Sequence, residues 1–255
     1  MSAPGIGLVF EPPVARLTIR RPPLNVLDIP TLVEMDQALA RVEGSPDTAI
    51  LVLTSEGDRT FSAGVDVKDH LPEKVEAMLA SFHGVCRRFL CMEQVSVAAV
   101  QGPALGGGCE LVACCDLVVA AESATFGQPE IDLGCFPPLA AALYPQLLGV
   151  RLATEMILTG APLDARTARE IGLATRVVPA GELERTVEDL LAALSAKSPA
   201  VLRLTKKALA ASRRSALDAL TEIERIYLQD LVTAEDMHEG IAAFLEKRKP
   251  SWKGR

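Results

Sequence analysis

Two glutamates and a run of three glycines are the residues of this chain whose types and spacing could do chemistry. Gly106–Gly108 follows an apolar, β-branched run over 95–100 and precedes a segment without helix breakers, 109–114, that predicts a short helix. A strand, a glycine-rich turn and a helix leave unpaired main-chain N–H groups at the positive end of the helix. The sequence therefore predicts that this turn holds an oxygen anion.

A permanently bound phosphate does not fit the residues that follow the glycines. A P-loop needs Gly-Lys-Ser/Thr after its second glycine, whereas Cys109-Glu110 stands here, and the run does not match the G-x-G-x-x-G dinucleotide pattern. Glu110 would repel a stable phosphate but suits a site where negative charge develops transiently on a carbonyl oxygen. Glu130, which follows Pro129, supplies a second carboxylate. We predict that Glu110 and Glu130 form an acid–base pair beside an oxyanion hole, with the acid and the base still to be assigned.

Several segments around these residues resemble the crotonase (enoyl-CoA hydratase/isomerase) superfamily. They are GGGCEL at 106–111, CDLVVAAESATFGQPEIDLG at 115–134 and FSAGVDV at 61–67, which is similar to the family's F-x-A-G-x-D signature. The resemblance extends from Val14 to Lys253. It implies an α/β fold, the ClpP/crotonase-like spiral of ββα units with a C-terminal helical subdomain, which we expect to divide into a core with the active site at 1–180 and oligomer-forming helices at 181–255.

The resemblance also implies site residues and a substrate class, an acyl-CoA thioester. The oxyanion N–H groups would come from Val65 and Gly107, and both glutamates of the family's hydratases have counterparts in Glu110 and Glu130. Contacts to the substrate and its CoA are expected from Leu24, Asn25, Leu27, Ala63, Asp66, Lys68, Phe136, Phe244 and Lys253. For three of these residues a local role competes: Asn25 as a turn residue, Asp66 as a loop-fixing hydrogen-bond acceptor and Lys68 as a solvated lysine. No metal, flavin or nicotinamide is expected, and coenzyme A enters only as part of the substrate.

The segment after Gly134 departs from the usual hydratase pattern. Residues 135–144 read CFPPLAAALY, where Pro-Gly-x-Gly-Gly-Thr-Gln would be typical, which implies a different acyl group. Together with segments 69–84 and 226–248, this departure resembles the cyclohexa-1,5-diene-1-carbonyl-CoA hydratases. An ordinary 2-enoyl-CoA hydratase or an enoyl-CoA isomerase would use the same catalytic groups and stays an alternative. Whether His70 or Tyr144 touches the substrate is left open, and His83 is expected on a helix surface or in the pocket wall.

Composition and charge limit the other function classes. The 255 residues are 49% hydrophobic and 23% charged with a formal net charge of −7, which argues against nucleic-acid or anionic-membrane partners. One branch of the superfamily binds RNA through a lysine-rich helix, but the helix predicted at 30–43 carries a single arginine and three acids. The N-terminal 13 residues have neither a basic segment nor a long apolar one, so we expect no signal peptide, and no stretch is long enough to span a membrane. The six cysteines include no C-x-x-C pair, so we expect reduced thiols and a cytoplasmic location.

Hydrophobic periodicity predicts the elements that position the site. We expect a hairpin at 8–10 and 14–19, helices at 30–42 and 72–90, and a central parallel strand at 49–54. Beyond Pro179 the pattern is helical over 182–195, 199–212, 216–232 and 234–247. Arg203, Lys206 and Lys207 form a basic face that could meet the CoA 3′-phosphate or simply be solvated. The resemblance implies a homotrimer, or a homohexamer of two trimers.

Overall fold

The computed structural model describes residues 5–255 and contains two β-sheets and ten helices in that range. The strands are β1 Ile6–Glu11, β2 Val14–Ile19, β3 Ile50–Ser55, β4 Val95–Val100, β5 Ala104–Leu105, β6 Leu117–Ala121, β7 Thr125–Gly127, β8 Leu163–Asp164 and β9 Arg176–Val178. The helices are α1 Ile29–Glu43, α2 Val75–Cys91, α3 Gly107–Cys114, α4 Pro138–Leu147, α5 Val150–Thr159, α6 Ala165–Glu170, α7 Leu183–Ser195, α8 Pro199–Ala211, α9 Arg214–Gln229 and α10 Glu235–Leu245.

The larger sheet has six strands in the order β1-β2-β3-β4-β6-β9. β1 and β2 form an antiparallel hairpin, and the four other pairings are parallel. β3 is apolar over its first four residues, 50–53, which suits a strand between two parallel neighbours that is covered on both faces. Each parallel pairing requires a crossover, and α1, α2 and α3 supply the crossovers that lead to the site.

The smaller sheet joins β5, β7 and β8 at the site. β5 pairs in parallel with β7, and β7 pairs antiparallel with β8. Since β5 immediately precedes the glycine run and β7 immediately precedes Pro129, this pairing brings the two glutamate-bearing segments side by side. The two segments are 20 residues apart in sequence, and the strand pairing removes that separation.

The predicted elements are largely confirmed, with shifts of a few residues at their ends. The opening hairpin, the helix at 30–42, the central parallel strand at 49–54 and the four C-terminal helices all occur in the structure. The helix expected at 216–232 ends at Gln229, and a short 3₁₀ helix covers Leu231–Thr233. The proposed division into 1–180 and 181–255 stays a prediction, and its first four residues lie outside the described range.

The C-terminal helices pack against the α/β core. α9 lies along α4, and α10 lies against the 3₁₀ helix Pro129–Leu133 that carries Glu130. This approach is close, because a Cβ atom at Gly240 would lie 2.3 Å from the Leu133 carbonyl oxygen. Glycine at 240 thus lets α10 close over the site.

The expectations about membrane spans and cysteines can be compared with residues 5–255. No helix in that range is long and apolar enough to cross a membrane. The six cysteines are free thiols, of which Cys91 is exposed and the other five are buried. The N-terminal segment considered for a signal peptide begins with residues outside the described range.

Candidate active site

A cavity of about 420 Å³ lies where the glycine run, the 3₁₀ helix Pro129–Leu133, α2, α9 and α10 meet. Both predicted catalytic glutamates line it, together with Val65, Gly107 and Ala63 of the predicted set. Phe136 and Phe244, expected to contact substrate, also line it. Most of the other lining side chains are apolar, which suits an acyl group.

Glu110 is held by the start of α4. It lies in the first turn of α3 and is 3% exposed, and its Oε1 accepts a hydrogen bond from the Ala140 main-chain N–H at 2.7 Å. Burial raises the pKa of Glu110 to about 7, and the N–H donors of α4 oppose that rise. The carboxylate therefore titrates near neutrality.

Glu130 lies against the glycine run. A Cβ atom at Gly106, whose φ is +52°, would lie 2.5 Å from Glu130 Oε1, so only glycine leaves room for the carboxylate. Glu130 Oε2 is buried and has no hydrogen-bond partner in residues 5–255. Burial, followed by the charge of Glu110, raises the pKa of Glu130 well above its ordinary value. Burial thus favours the protonated form of both carboxyls, and the charge of Glu110 adds to this effect at Glu130.

The loop that carries Val65 is fixed from both sides. The Leu27 N–H donates to the Gly64 carbonyl at 2.9 Å, and the Asp66 N–H donates to the Leu27 carbonyl at 3.2 Å. In such a parallel bridge the N–H of the intervening residue, Val65, points away from Leu27. A Cβ atom at Gly64, whose φ is +93°, would lie 3.1 Å from the Gly107 nitrogen, so the two segments touch. Across the described part of the chain, neither the Val65 nor the Gly107 N–H has a protein acceptor.

Two residues expected to contact the substrate also hold the loop in place. Asn25 is fully buried with φ +49°, and its Nδ2 donates to the carbonyls of Glu56 at 3.0 Å and Thr60 at 2.9 Å. Its Oδ1 accepts from the Arg21 N–H at 3.0 Å, so both amide protons and one oxygen lone pair are used within the protein. Leu27 is also 0% exposed and meets the site only through its main chain. Contacts of these two residues with CoA stay predictions.

The other predicted contacts lie outside the cavity lining. Asp66 Oδ1 accepts from the Lys68 N–H at 3.0 Å, which is the local role that competed with a substrate contact. Leu24 and Lys68 are exposed, and the Lys253 ammonium lies 3.7 Å from Glu235 Oε2 on α10. Their contacts with CoA stay predictions.

The basic face expected on α8 does not exist as a free surface. Lys206 is 2% exposed, and its ammonium donates to Asp116 Oδ1 at 2.5 Å. Arg203 donates to the Thr48 carbonyl at 2.9 Å, and Lys207 pairs with Glu93. These three cations therefore have protein partners and are not a ready site for the CoA 3′-phosphate.

The cavity wall contains His83, which was expected on a helix surface or in the pocket wall. It also contains Tyr227 and Arg248, to which sequence reasoning assigned no role in the site. His83 and Tyr227 come from α2 and α9, and Arg248 follows α10. Helical periodicity placed His83 and Tyr227 on helices, but it could not show that these helices line one cavity. His70 also lines the cavity, and its Nδ1 lies 3.2 Å from the Asp66 carbonyl oxygen. Tyr144, which was left open, lies outside the lining and bonds Gln128 and Cys109.

A fold of this kind, with two carboxylates and two unpaired main-chain N–H groups in the lining of one cavity, is typical of an enzyme that polarises a carbonyl for acid–base chemistry. The sequence profile of the enoyl-CoA hydratase/isomerase family matches residues 10–255, so the chain belongs to that family. It is 36% identical over 259 residues to a crotonyl-CoA hydratase of Syntrophomonas wolfei, covering 99% of each chain. It is 35% identical over 243 residues to a cyclohexa-1,5-dienecarbonyl-CoA hydratase of Thauera aromatica, covering 94% of this chain and 93% of that one.

The structural comparison agrees with the sequence comparison. An enoyl-CoA hydratase from Mycobacterium avium subsp. paratuberculosis superposes with a TM-score of 0.88 at 30% identity, covering 98% of each chain. The expected fold family is thereby confirmed. The relatives with different named substrates match this chain about equally well, so overall similarity does not select an acyl group.

Proposed function

We propose that this protein is a hydratase that adds water to, or removes it from, a conjugated enoyl-CoA thioester, and that its substrate carries a cyclic dienoyl group such as cyclohexa-1,5-diene-1-carbonyl. The observation that carries the reaction class is the convergence of Glu110, which is buried, and Glu130, whose Oε2 atom is buried, on one cavity lined also by Val65 and Gly107. An ordinary 2-enoyl-CoA hydratase is the second candidate, and the similarity to the crotonyl-CoA hydratase favours it.

The geometry supports a division of labour between the two glutamates. Glu110 accepts the Ala140 N–H, which stabilises its ionised form, whereas Glu130 Oε2 has no donor. In the hydration direction Glu110 takes a proton from water as the water oxygen bonds the β-carbon, and Glu130 gives its proton to the α-carbon. The Val65 and Gly107 N–H groups stabilise the negative charge on the thioester oxygen. Each such donor typically contributes about 3 kcal/mol to lowering the barrier.

The wall of the cavity supports a bulky acyl group. Phe136, Pro137 and Pro138 line it, and Phe136 packs edge-to-face on Tyr227 with ring centroids 5.1 Å apart. Pro138 also begins α4, whose N–H groups hold Glu110. The segment that departs from the usual hydratase pattern therefore shapes the acyl pocket and orients a catalytic group at once.

A spectrophotometric comparison of two substrates tests the proposal. The purified protein is assayed with crotonyl-CoA and with cyclohexa-1,5-diene-1-carbonyl-CoA, following loss of the conjugated thioester absorbance. We expect a higher kcat/KM with the cyclic thioester. Turnover of crotonyl-CoA alone would replace the cyclic assignment with the second candidate. Hydration of neither thioester, or a shift of the double bond without addition of water, would contradict the reaction class.

We also propose that the chain forms a homotrimer or a homohexamer in the cytoplasm. Three leucine and valine side chains on α8 are exposed, namely Val201, Leu204 and Leu209 at 59–66%. Such a row of exposed apolar side chains is typical of a subunit contact. Sedimentation velocity of the purified protein distinguishes the monomer from both assemblies.

A further inference from the structure

The wall of the cavity contains two polar side chains that the proposed reaction does not use. His83 is 0% exposed and Tyr227 is 1% exposed, and both line the cavity. His83 Nε2 and Tyr227 Oη have no hydrogen-bond partner in residues 5–255. Buried polar atoms nearly always have partners in folded proteins, so two orphans in one ligand cavity indicate that a ligand supplies what is missing.

The surroundings of His83 decide what Nε2 can do. His83 Nδ1 lies 2.7 Å from Glu224 Oε1, and the Arg87 guanidinium lies 3.0 Å from the same oxygen. Burial would raise the pKa of Glu224, but the contacts with His83 and Arg87 prevail and lower it. Burial lowers the pKa of His83 despite Glu224. The ionised carboxylate therefore takes the Nδ1–H, and Nε2 of the neutral ring is a bare acceptor.

Tyr227 comes from the same helix as Glu224, the residue that contacts His83. Glu224 and Tyr227 are three residues apart on α9 and so lie on one face of it. The Tyr227 ring packs on Phe136, and its hydroxyl lies near the Cys135 thiol. No atom of residues 5–255 gives this hydroxyl a hydrogen bond of acceptable geometry, so a ligand can use it as donor and as acceptor.

The charges around the two orphans favour a neutral ligand group. The nearby cations are already paired, Arg87 with Glu224 and Arg248 with Glu239. A carboxylate on the ligand would face the bare lone pair of His83 Nε2 without a free cation, whereas a hydroxyl can donate to Nε2 and accept from Tyr227 Oη. A purely hydrocarbon group would leave both atoms unpaired.

We propose that His83 and Tyr227 are specificity-determining residues that bind a hydroxyl group on the acyl part of the thioester, away from the oxygen held by Val65 and Gly107. Glu224 is a positioning residue that fixes the tautomer of His83. This inference rests on the proposed function, since it takes the cavity to be the acyl pocket. It narrows the substrate class to acyl groups that carry a hydroxyl of their own, in addition to the one that hydration adds.

Calorimetric binding to the full-length protein tests the proposal without requiring turnover. The probes are cyclohexanecarbonyl-CoA against its 2-, 3- and 4-hydroxy derivatives, and hexanoyl-CoA against its 4-, 5- and 6-hydroxy derivatives. We expect at least one hydroxylated thioester to bind about tenfold or more tightly than its deoxy counterpart, because a site built to hydrogen-bond a hydroxyl rejects the analogue without one. Hydroxylated and plain thioesters that all bind within about threefold of each other would overturn the proposal.

Variants identify the residues responsible. Tyr227→Phe removes only the unpaired oxygen, and His83→Asn keeps a donor toward Glu224 while removing Nε2, so each should abolish the preference for the hydroxylated thioester. Tyr144→Phe is the matched control, because the Tyr144 hydroxyl is buried outside the cavity and paired with Gln128 at 2.6 Å, and it should keep the preference. A preference that survives Tyr227→Phe and His83→Asn would also overturn the proposal.

Substitution of Glu224 separates positioning from packing. Glu224→Gln still offers an acceptor to His83 Nδ1–H and should keep the preference, whereas Glu224→Leu should lose it. Equal behaviour of the two variants would contradict the positioning role. If the plain acyl-CoAs bind no more tightly than free coenzyme A, the proposed function fails with the inference, and if they bind but the hydroxyl adds nothing, only the inference fails.

Discussion

Two polar regions inside this molecule differ in whether the protein itself supplies hydrogen-bond partners for their buried atoms. At the start of β6, Asp116 accepts from the Ser96 N–H and hydroxyl, from Lys206 and from Arg213, so both of its oxygens have partners. In the cavity, Glu130 Oε2, His83 Nε2 and Tyr227 Oη have none among the described residues. Both regions are costly to desolvate, but only the first recovers that cost within the chain. The contrast separates polar groups that hold the fold together from groups that await a ligand.

Removing a cavity carboxylate should give the largest effect on activity. We expect Glu130→Gln to lower kcat/KM for the accepted enoyl-CoA by about 10²- to 10⁴-fold, because the amide cannot give the proton to carbon. Its free energy of unfolding should be equal or higher, because burial and Glu110 disfavour the ionised carboxyl that the amide replaces. Steady-state kinetics and urea unfolding measure the two quantities. Glu122→Gln, on an exposed residue, is the control, and a Glu130→Gln protein as active as the parent would contradict the proposed mechanism.

Breaking the ion pair between Lys206 and Asp116 should lower stability and leave activity nearly unchanged, the opposite of the result for Glu130→Gln. We expect Lys206→Met to lower the free energy of unfolding by about 3 kcal/mol, because it leaves a buried carboxylate short of a partner, and to leave kcat of the folded enzyme nearly unchanged. Lys207→Met, which breaks the exposed pair with Glu93, should cost less than about 1 kcal/mol. Equal losses in the two urea titrations would mean that the Asp116 region does not stabilise the fold as described.

The burial of Glu110 in the cavity should make the stability of the protein depend on pH. Burial raises the pKa of Glu110 from 4.5 to about 7, so the carboxyl favours folding least when it is ionised. The wild type should lose stability relative to Glu110→Gln as the pH rises from 4.5 to about 7, with no further relative change above that. Thermal unfolding of both proteins across this range measures the difference. A constant difference would place the Glu110 pKa at its ordinary value.

The smallest expected effect is a difference in stability between variants of two buried tyrosines. Tyr144→Phe should lower the free energy of unfolding by about 1 kcal/mol, because it breaks the hydrogen bonds of a paired hydroxyl. Tyr227→Phe should leave it unchanged or raise it, because that hydroxyl has no partner to lose. Urea unfolding of the free proteins resolves the two, and a larger loss for Tyr227→Phe would show that its hydroxyl is paired within the protein.

Local patterns in the sequence were sufficient for most of the fold and for the catalytic centre. The apolar run at 49–54 predicts a central parallel strand, and the glycines before Glu110 predict an oxyanion-type turn, because both are signals within one short segment. The resemblance to a family added Val65, which no local pattern would have selected. The burial of the Asn25 and Leu27 side chains could not be predicted, because motif position says nothing about which face of a loop the fold buries.

The sequence by itself determined the elements, the family and the pair of glutamates, since hydrophobic period, turn chemistry and motif spacing are properties of contiguous residues. Tertiary structure alone decided that α2, α9 and α10 close one cavity, that the start of α4 holds Glu110, and that Lys206 is buried against Asp116. These contacts join residues 30 to more than 100 positions apart. Whether a buried polar atom finds a partner depends on such distant neighbours, and it can be read only after the chain has folded.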